Sequence, residues 1–221
     1  FFFSILMENL PNKKEDDLEA AEEVGGFWSN FLEWIKIIIW ALVIIIPIRT
    51  FLFQPFFVEG NSMEPNFRDG EYLIVKEWGY KKTAVQLGEK TLFTVDGGKE
   101  LQRGEVVVFR YPKSPKEFFI KRIVGLPGEK VEIKDGQVKI YNQENPKGMI
   151  LDEGNYLPGV QMKTECQGSH CLFNLKEDEY VVLGDNRSHS SDSRTWGILS
   201  KDLLVGAVAL RAFPPENFAI F

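Results

Sequence analysis

Basic residues are not in surplus in this 221-residue chain, where 26 Lys and Arg stand against 32 Asp and Glu. Recognition of a phosphate backbone requires clustered cations, so a nucleic-acid partner is excluded. Cysteine is limited to two residues, too few for a small disulfide scaffold, and histidine to His170 and His189. No Walker A or G-x-G-x-x-G pattern occurs, and Gly88-Glu89-Lys90-Thr91 is no phosphate loop, so no nucleotide site is expected. Repeats of solenoid length are missing, and 19 Gly with 11 Pro is ordinary usage, which excludes solenoid, collagen-like and low-complexity readings. What remains is 44% hydrophobic and 26% charged, enough to bury one sizeable core or two small ones, and unlike a disordered chain.

The charge is unevenly placed. Residues 1–33 carry two lysines and eight acids, while the other 188 residues balance at 24 of each sign. Residues 1–30 therefore read as a solvated acidic tail. Phe1 to Met7 precede the first methionine, so the chain reads as a fragment or as having its start assigned too early, and they are set aside from the fold. Residues 31–57 are the most apolar stretch, with an uncharged run of 12 residues from Ile37 to Ile48. That run alone spans about 18 Å as a helix, against about 30 Å of hydrocarbon. Extended from Phe31 to Phe53 it is long enough to cross, with Lys36 and Arg49 reaching the two interfaces and Trp28, Trp34 and the later phenylalanines as aromatic belts. A buried core helix is the alternative. A cleaved signal peptide fits worse, because the run ends in Pro47, Arg49 and bulky aromatics rather than an A-x-A site.

From residue 58 to 221 the pattern changes to short β-branched and aromatic runs. Strands are expected at Tyr72–Lys76, Glu105–Tyr111, Phe118–Val124, Lys130–Lys134, Gln137–Tyr141, Glu179–Leu183 and Leu204–Arg211. Asp135-Gly136 marks a tight hairpin. No long amphipathic helix follows residue 57, so the domain is mainly β. Residues 142–176 hold both cysteines and many turn formers, and read as an insertion decorating the sheet.

Three places carry more polar chemistry than such a domain needs. Ser62 sits in the turn Gly60-Asn61-Ser62-Met63-Glu64-Pro65, where a serine is either a turn former or a nucleophile. Lys121 lies in the strand FFIKRIVG and shares a face with Phe119 and Ile123, while Arg122 lies opposite with Ile120 and Val124. Desolvation there lowers an ammonium pKa, as a proton-accepting lysine requires; an edge lysine that blocks aggregation is the alternative. The third is the run Gly184-Asp185-Asn186-Arg187-Ser188-His189-Ser190-Ser191-Asp192-Ser193-Arg194, either a surface loop held by Asp–Arg pairs or the wall of a site.

Together these blocks resemble type I signal peptidase, the membrane-bound Ser–Lys leader peptidase. Ser62-Met63-Glu64-Pro65 is similar to its nucleophile box. Arg103-Gly104-Glu105-Val106, then Lys121-Arg122-Ile123-Val124-Gly125-Leu126-Pro127-Gly128, resemble its general-base boxes. Gly184 to Arg194 matches its closing box in full, and all follow an anchor in the family's order. The resemblance implies a coiled antiparallel β-sheet catalytic domain with a small β insertion, preceded by one N-terminal transmembrane helix. It implies Ser62 as nucleophile and neutral Lys121 as general base, with the backbone N–H of Ser62 binding the oxyanion. By the same resemblance Ser190 holds the lysine amine, Asp192 and Arg194 brace the loop, and Gly184 keeps backbone close to the site, with Asp185, Asn186, Arg187 and Ser193 as scaffold. Some relatives of this kind carry a serine two residues before the nucleophile, where this chain has Gly60.

Substrates implied are secretory precursors with small residues at −3 and −1, cleaved by a monomeric, cofactor-free enzyme at the lipid bilayer. The location implied is a bacterial-type plasma membrane, single-pass, with the N-terminus cytoplasmic and the catalytic domain on the outer face. In that compartment Cys166 and Cys171 read as a disulfide, and His170 with His189 is a thin basis for a metal. A self-cleaving repressor-type Ser–Lys protease is the runner-up, lacking here its DNA-binding unit. A membrane-tethered, non-catalytic β binding module is the other alternative.

Overall fold

A computed structural model of the chain describes residues 31, 33–45, 53–77, 79–80, 83–87, 90–95, 98–157, 166 and 170–221. The expected acidic tail of residues 1–30, and residues 46–52 of the expected anchor, lie outside the described residues. The chain divides into two compact units, Phe1–Ile48 and Arg49–Phe221. In the first, residue 31 and residues 33–45 are helical (α1), and their apolar side chains are exposed around the whole circumference, Trp34, Ile37, Trp40 and Ile44 among them. Among the described residues no helix is long and apolar enough to cross a membrane.

The second unit is antiparallel β throughout. Its strands in chain order are β1 (Phe53–Phe57), β2 (Tyr72–Lys76), β3 (Thr83–Leu87), β4 (Lys90–Val95), β5 (Val106–Tyr111), β6 (Ser114–Gly125), β7 (Lys130–Lys134), β8 (Gln137–Tyr141), β9 (Met149–Ile150), β10 (His170–Asn174), β11 (Glu179–Leu183), β12 (Leu199–Ser200), β13 (Leu204–Phe213) and β14 (Ala219–Ile220). The main sheet runs β1-β2-β13-β5-β6-β11-β12, with β14 on β13. A second sheet runs β10-β7-β8-β9, and β3 pairs with β4.

Alternation explains why β5 and β6 are central. Val107 and Phe109 enter one cluster with Ile123, Val182 and Leu204, while Val106 and Val108 enter another with Met63, Phe67, Leu73 and Val75. The strand is thus buried on both faces, with each such side chain contributing about 1.5–3 kcal/mol. A third cluster joins Val124, Val181 and Leu183 of the main sheet to Val131, Ile133, Val138 and Ile140 of the second. Gly125 sits at that junction, where a Cβ would meet Val131 Cγ2 at 2.6 Å.

All seven expected strands are present, and β6 and β13 run longer than expected. The Asp135-Gly136 hairpin joins β7 to β8, with both turn residues at positive φ (52° and 78°). Not foreseen were β1, the β3–β4 hairpin, and the strands β9, β10, β12 and β14. Phe53–Phe57, the membrane-apposed end of the expected 31–57 segment, form β1 and pair with β2. The segment 142–176 also does more than decorate: β10 pairs with β7, and Leu175 is buried in the third cluster.

Candidate active site

The turn after β1 is closed by backbone bonds from Val58 N to Glu71 O (2.9 Å) and from Gly70 N to Val58 O (3.0 Å). Met63 and Phe67 are buried in the core beneath it and fix its lower face. Gly60 enters the turn at φ 85°, a conformation that a side chain strains, with its N–H bonded to Asp69 Oδ1 at 2.6 Å. Ser62 stands on the rim of this turn, half-buried.

Lys121 comes from β6, opposite Val107 of β5. Only 4% of it is exposed, and its Nζ lies 2.7 Å from Ser62 Oγ and 2.7 Å from the Ile120 carbonyl. The Phe119 ring centroid is 5.5 Å from the same nitrogen. Burial lowers its pKa from 10.5 to about 8, although Asp192 and then Asp185 pull the other way. An amine so placed is neutral in a useful fraction of molecules near physiological pH.

The polar loop between β11 and β12 forms the back wall. Its Asn186 N–H donates to Ser62 O at 3.0 Å, tying the loop to the turn that carries Ser62. Asp192, fully buried, accepts from Gly184 N (3.0 Å) and from the Arg194 guanidinium (2.7 and 2.8 Å). It also caps the short helix α2 (Ser193–Trp196) through Arg194 N. Ser193 Oγ accepts from Val182 N at 2.9 Å. Asp185 is clamped by Arg122 through two bonds of 2.7 and 2.5 Å. Arg187 donates to Gly184 O at 2.9 Å. A Cβ on Gly184 would fall 2.2 Å from Ser190 Oγ and 2.5 Å from Ser62 O, so backbone and site touch only because this residue is glycine.

Ser62, Lys121 and the closing box's Gly184, Asp185, Asn186, Arg187, Ser190, Asp192, Ser193 and Arg194 are therefore joined by these contacts, while Ser188 and His189 are exposed and bond to Asn186. Ser190 lies beside Gly184, but its buried Oγ has no hydrogen-bond partner among the described residues. The second contact of Lys121 Nζ is a main-chain carbonyl instead. Cys166 and Cys171 form a disulfide, with Cα atoms 5.9 Å apart. Three residues of the site were not foreseen. Asn66 bridges Asp185 Oδ2 (2.8 Å) and the Tyr156 carbonyl (2.7 Å), and Glu153 pairs with Arg187. Only the Asx-rich turn after Ser62 hinted at Asn66, and nothing local marks partners in a segment that reads as decoration.

Beside Ser62 and Lys121 opens a cleft of about 510 Å³, walled by Phe56, Val58, Leu73, Val108 and Ile120. An apolar cleft ending at a hydroxyl and a desolvated amine is the equipment of a serine hydrolase that needs no histidine. Residues 31–213 match the family described as "Signal peptidase, peptidase S26". The chain belongs to that family and is a serine endopeptidase. Signal peptidase IB of Staphylococcus aureus (strain Mu50 / ATCC 700699) is 32% identical over 196 residues, spanning 86% of this chain and 93% of that protein. Signal peptidase I T of Bacillus subtilis (strain 168) is 33% identical over 187 residues, spanning 84% and 87%. A crystal structure of a signal peptidase I from Enterococcus faecalis V583 is 31% identical and covers 49% of this chain and 97% of its own, at a TM-score of 0.39.

Proposed function

We propose that the protein is a membrane-anchored endopeptidase that removes N-terminal signal peptides from exported precursors, with Ser62 as nucleophile and neutral Lys121 as general base. The observation that carries this reading is the 2.7 Å approach of a buried lysine, its pKa brought down to about 8, to a serine at the end of an apolar cleft. A hydroxyl is a weak nucleophile until its proton has an acceptor, and a neutral amine at that distance is one. As Ser62 Oγ bonds to the scissile carbonyl carbon, its proton passes to Lys121 Nζ. The carbonyl oxygen becomes an oxyanion that accepts from the Ser62 N–H. The resulting ammonium then gives the proton to the departing amine, leaving an ester on Ser62. Water, giving a proton to the same lysine, adds to the ester carbon; the bond from that carbon to Ser62 Oγ then breaks as Oγ takes the proton back from Lys121 Nζ, which releases the signal peptide and restores both groups.

Small apolar residues at −3 and −1 of the precursor suit a cleft beside Ser62 lined by Phe56, Val58 and Ile120. A helix whose residues 37–45 are all apolar, with Trp34 and Trp40 exposed, supports a lipid-embedded single-pass anchor. In this reading the N-terminus is cytoplasmic and a monomeric catalytic unit works on the outer face of a bacterial-type plasma membrane. The test is cleavage of a precursor with an Ala-x-Ala site in liposomes. Cleavage after the final Ala that Ser62→Ala abolishes is the expected result; cleavage surviving that substitution rules out Ser62 as nucleophile.

A further inference from the structure

The catalytic groups come from three separate pieces of chain: the turn bearing Ser62, β6 bearing Lys121, and the Gly184–Arg194 loop. One short turn behind them, residues 153–157, touches all three. Its Tyr156 carbonyl accepts from Asn66 Nδ2 at 2.7 Å, four residues after Ser62. The Tyr156 ring lies 4.3 Å from the guanidinium of Arg122, the neighbour of Lys121. Its Glu153 carboxylate takes both terminal nitrogens of Arg187, Nη1 at 2.8 Å and Nη2 more closely. The turn itself is held by Leu157, which is buried, by the Leu157 N to Glu153 O bond (2.8 Å), and by Tyr156 Oη, which donates to Glu153 Oε1 at 2.6 Å.

We propose that Glu153 is a positioning residue that sets the Ser62–Lys121 approach through Arg187. The inference rests on the Ser62 and Lys121 roles proposed above. Arg187 has a side chain only 1% exposed, so its charge requires a fixed counter-charge, and Glu153 supplies it from outside the loop. With that charge held, Arg187 Nε bonds Gly184 O at 2.9 Å, and Arg187 O accepts from Arg194 Nη2 at 2.7 Å. Gly184 in turn lies against Ser190 and the Ser62 carbonyl. Asp185 also acts on Arg187, and without Glu153 it faces a larger share of that charge while already clamped by Arg122. Competition for Asp185 pulls on the residue next to Lys121 and on the loop that bonds Ser62 O. Small displacements of this kind lower the chemical step and leave intact the cleft, which none of Glu153, Arg187 and Asp185 lines.

The experiment compares full-length wild type, Glu153→Gln and Tyr156→Phe in liposomes on an Ala-x-Ala precursor. Active molecules are counted by covalent titration of Ser62 with an acylating reagent. Per titrated site, Glu153→Gln is expected to lose about tenfold in kcat with KM within about twofold, and Tyr156→Phe to lose less in the same direction. Wild-type kcat per titrated site in Glu153→Gln overturns the proposal. So does a loss that appears only as fewer titratable molecules, because that is a folding defect. Should Glu153→Gln fail to fold, Tyr156→Phe decides: wild-type kcat there overturns the proposal, and a reduced kcat at unchanged KM supports it. Cleavage that persists in a parallel Ser62→Ala sample brings down the underlying assignment instead, so the two failures are distinguishable.

Discussion

In its proposed role as base, Lys121 puts catalysis and stability in opposition. Its folded pKa of about 8 lies below its unfolded value of 10.5. Below about pH 8 the group is charged in both states and the folded state carries the full desolvation cost. As pH rises from 8 to 10.5 that cost disappears, so this residue makes the protein more stable toward alkaline pH. The size at neutral pH is on the order of 3 kcal/mol. Lys121→Met is therefore expected to abolish cleavage yet raise unfolding free energy at pH 7 by about 1–3 kcal/mol, with the gain fading above pH 10. Denaturant titrations at both pH values check this, and a destabilised variant at pH 7 contradicts it. The same pKa makes the log of kcat/KM rise with pH and level off above about 8; a flat profile between pH 6 and 9 removes Lys121 as the base.

At the scale of elements, the closing loop depends on glycine where a side chain has no room. Gly184→Ala places a methyl 2.2 Å from Ser190 Oγ and 2.5 Å from the Ser62 carbonyl, one of them backbone that cannot rotate away. The expected cost is about 1–3 kcal/mol of stability and at least a hundredfold in kcat/KM, read from thermal melts and precursor cleavage. A near-native rate in Gly184→Ala means that the loop has slack. Strand positions were legible where alternation or β-branched runs made them so, as in β2, β7, β8 and β11. Edge pieces such as β9, β12 and β14, two residues each, are too short to leave a periodic signal. β1 left no strand signal for another reason: Phe53–Phe57 is five residues broken by Gln54 and Pro55, with no alternation to mark a sheet edge.

For the molecule as a whole, the Cys166–Cys171 link ties residue 166 to β10 on the second sheet, whose residues do not line the Ser62 cleft. Replacing Cys166 by serine is expected to cost about 2 kcal/mol through lost loop closure, with precursor cleavage per folded molecule unchanged. A drop in kcat there would show that the second sheet communicates with the site. The sequence by itself determined the candidate chemistry: Ser62, Lys121 and the Gly184–Arg194 box lie in contiguous motifs whose residue types suit the proposed roles. It also determined the mainly β character, because alternation is a local property. Only the tertiary structure decided that Ser62 and Lys121 meet, that Asn66 reaches Asp185 across 119 residues, and that Glu153 stands behind Arg187. Those are pairings between distant segments, and a buried charge finds its partner through packing, which no local pattern encodes.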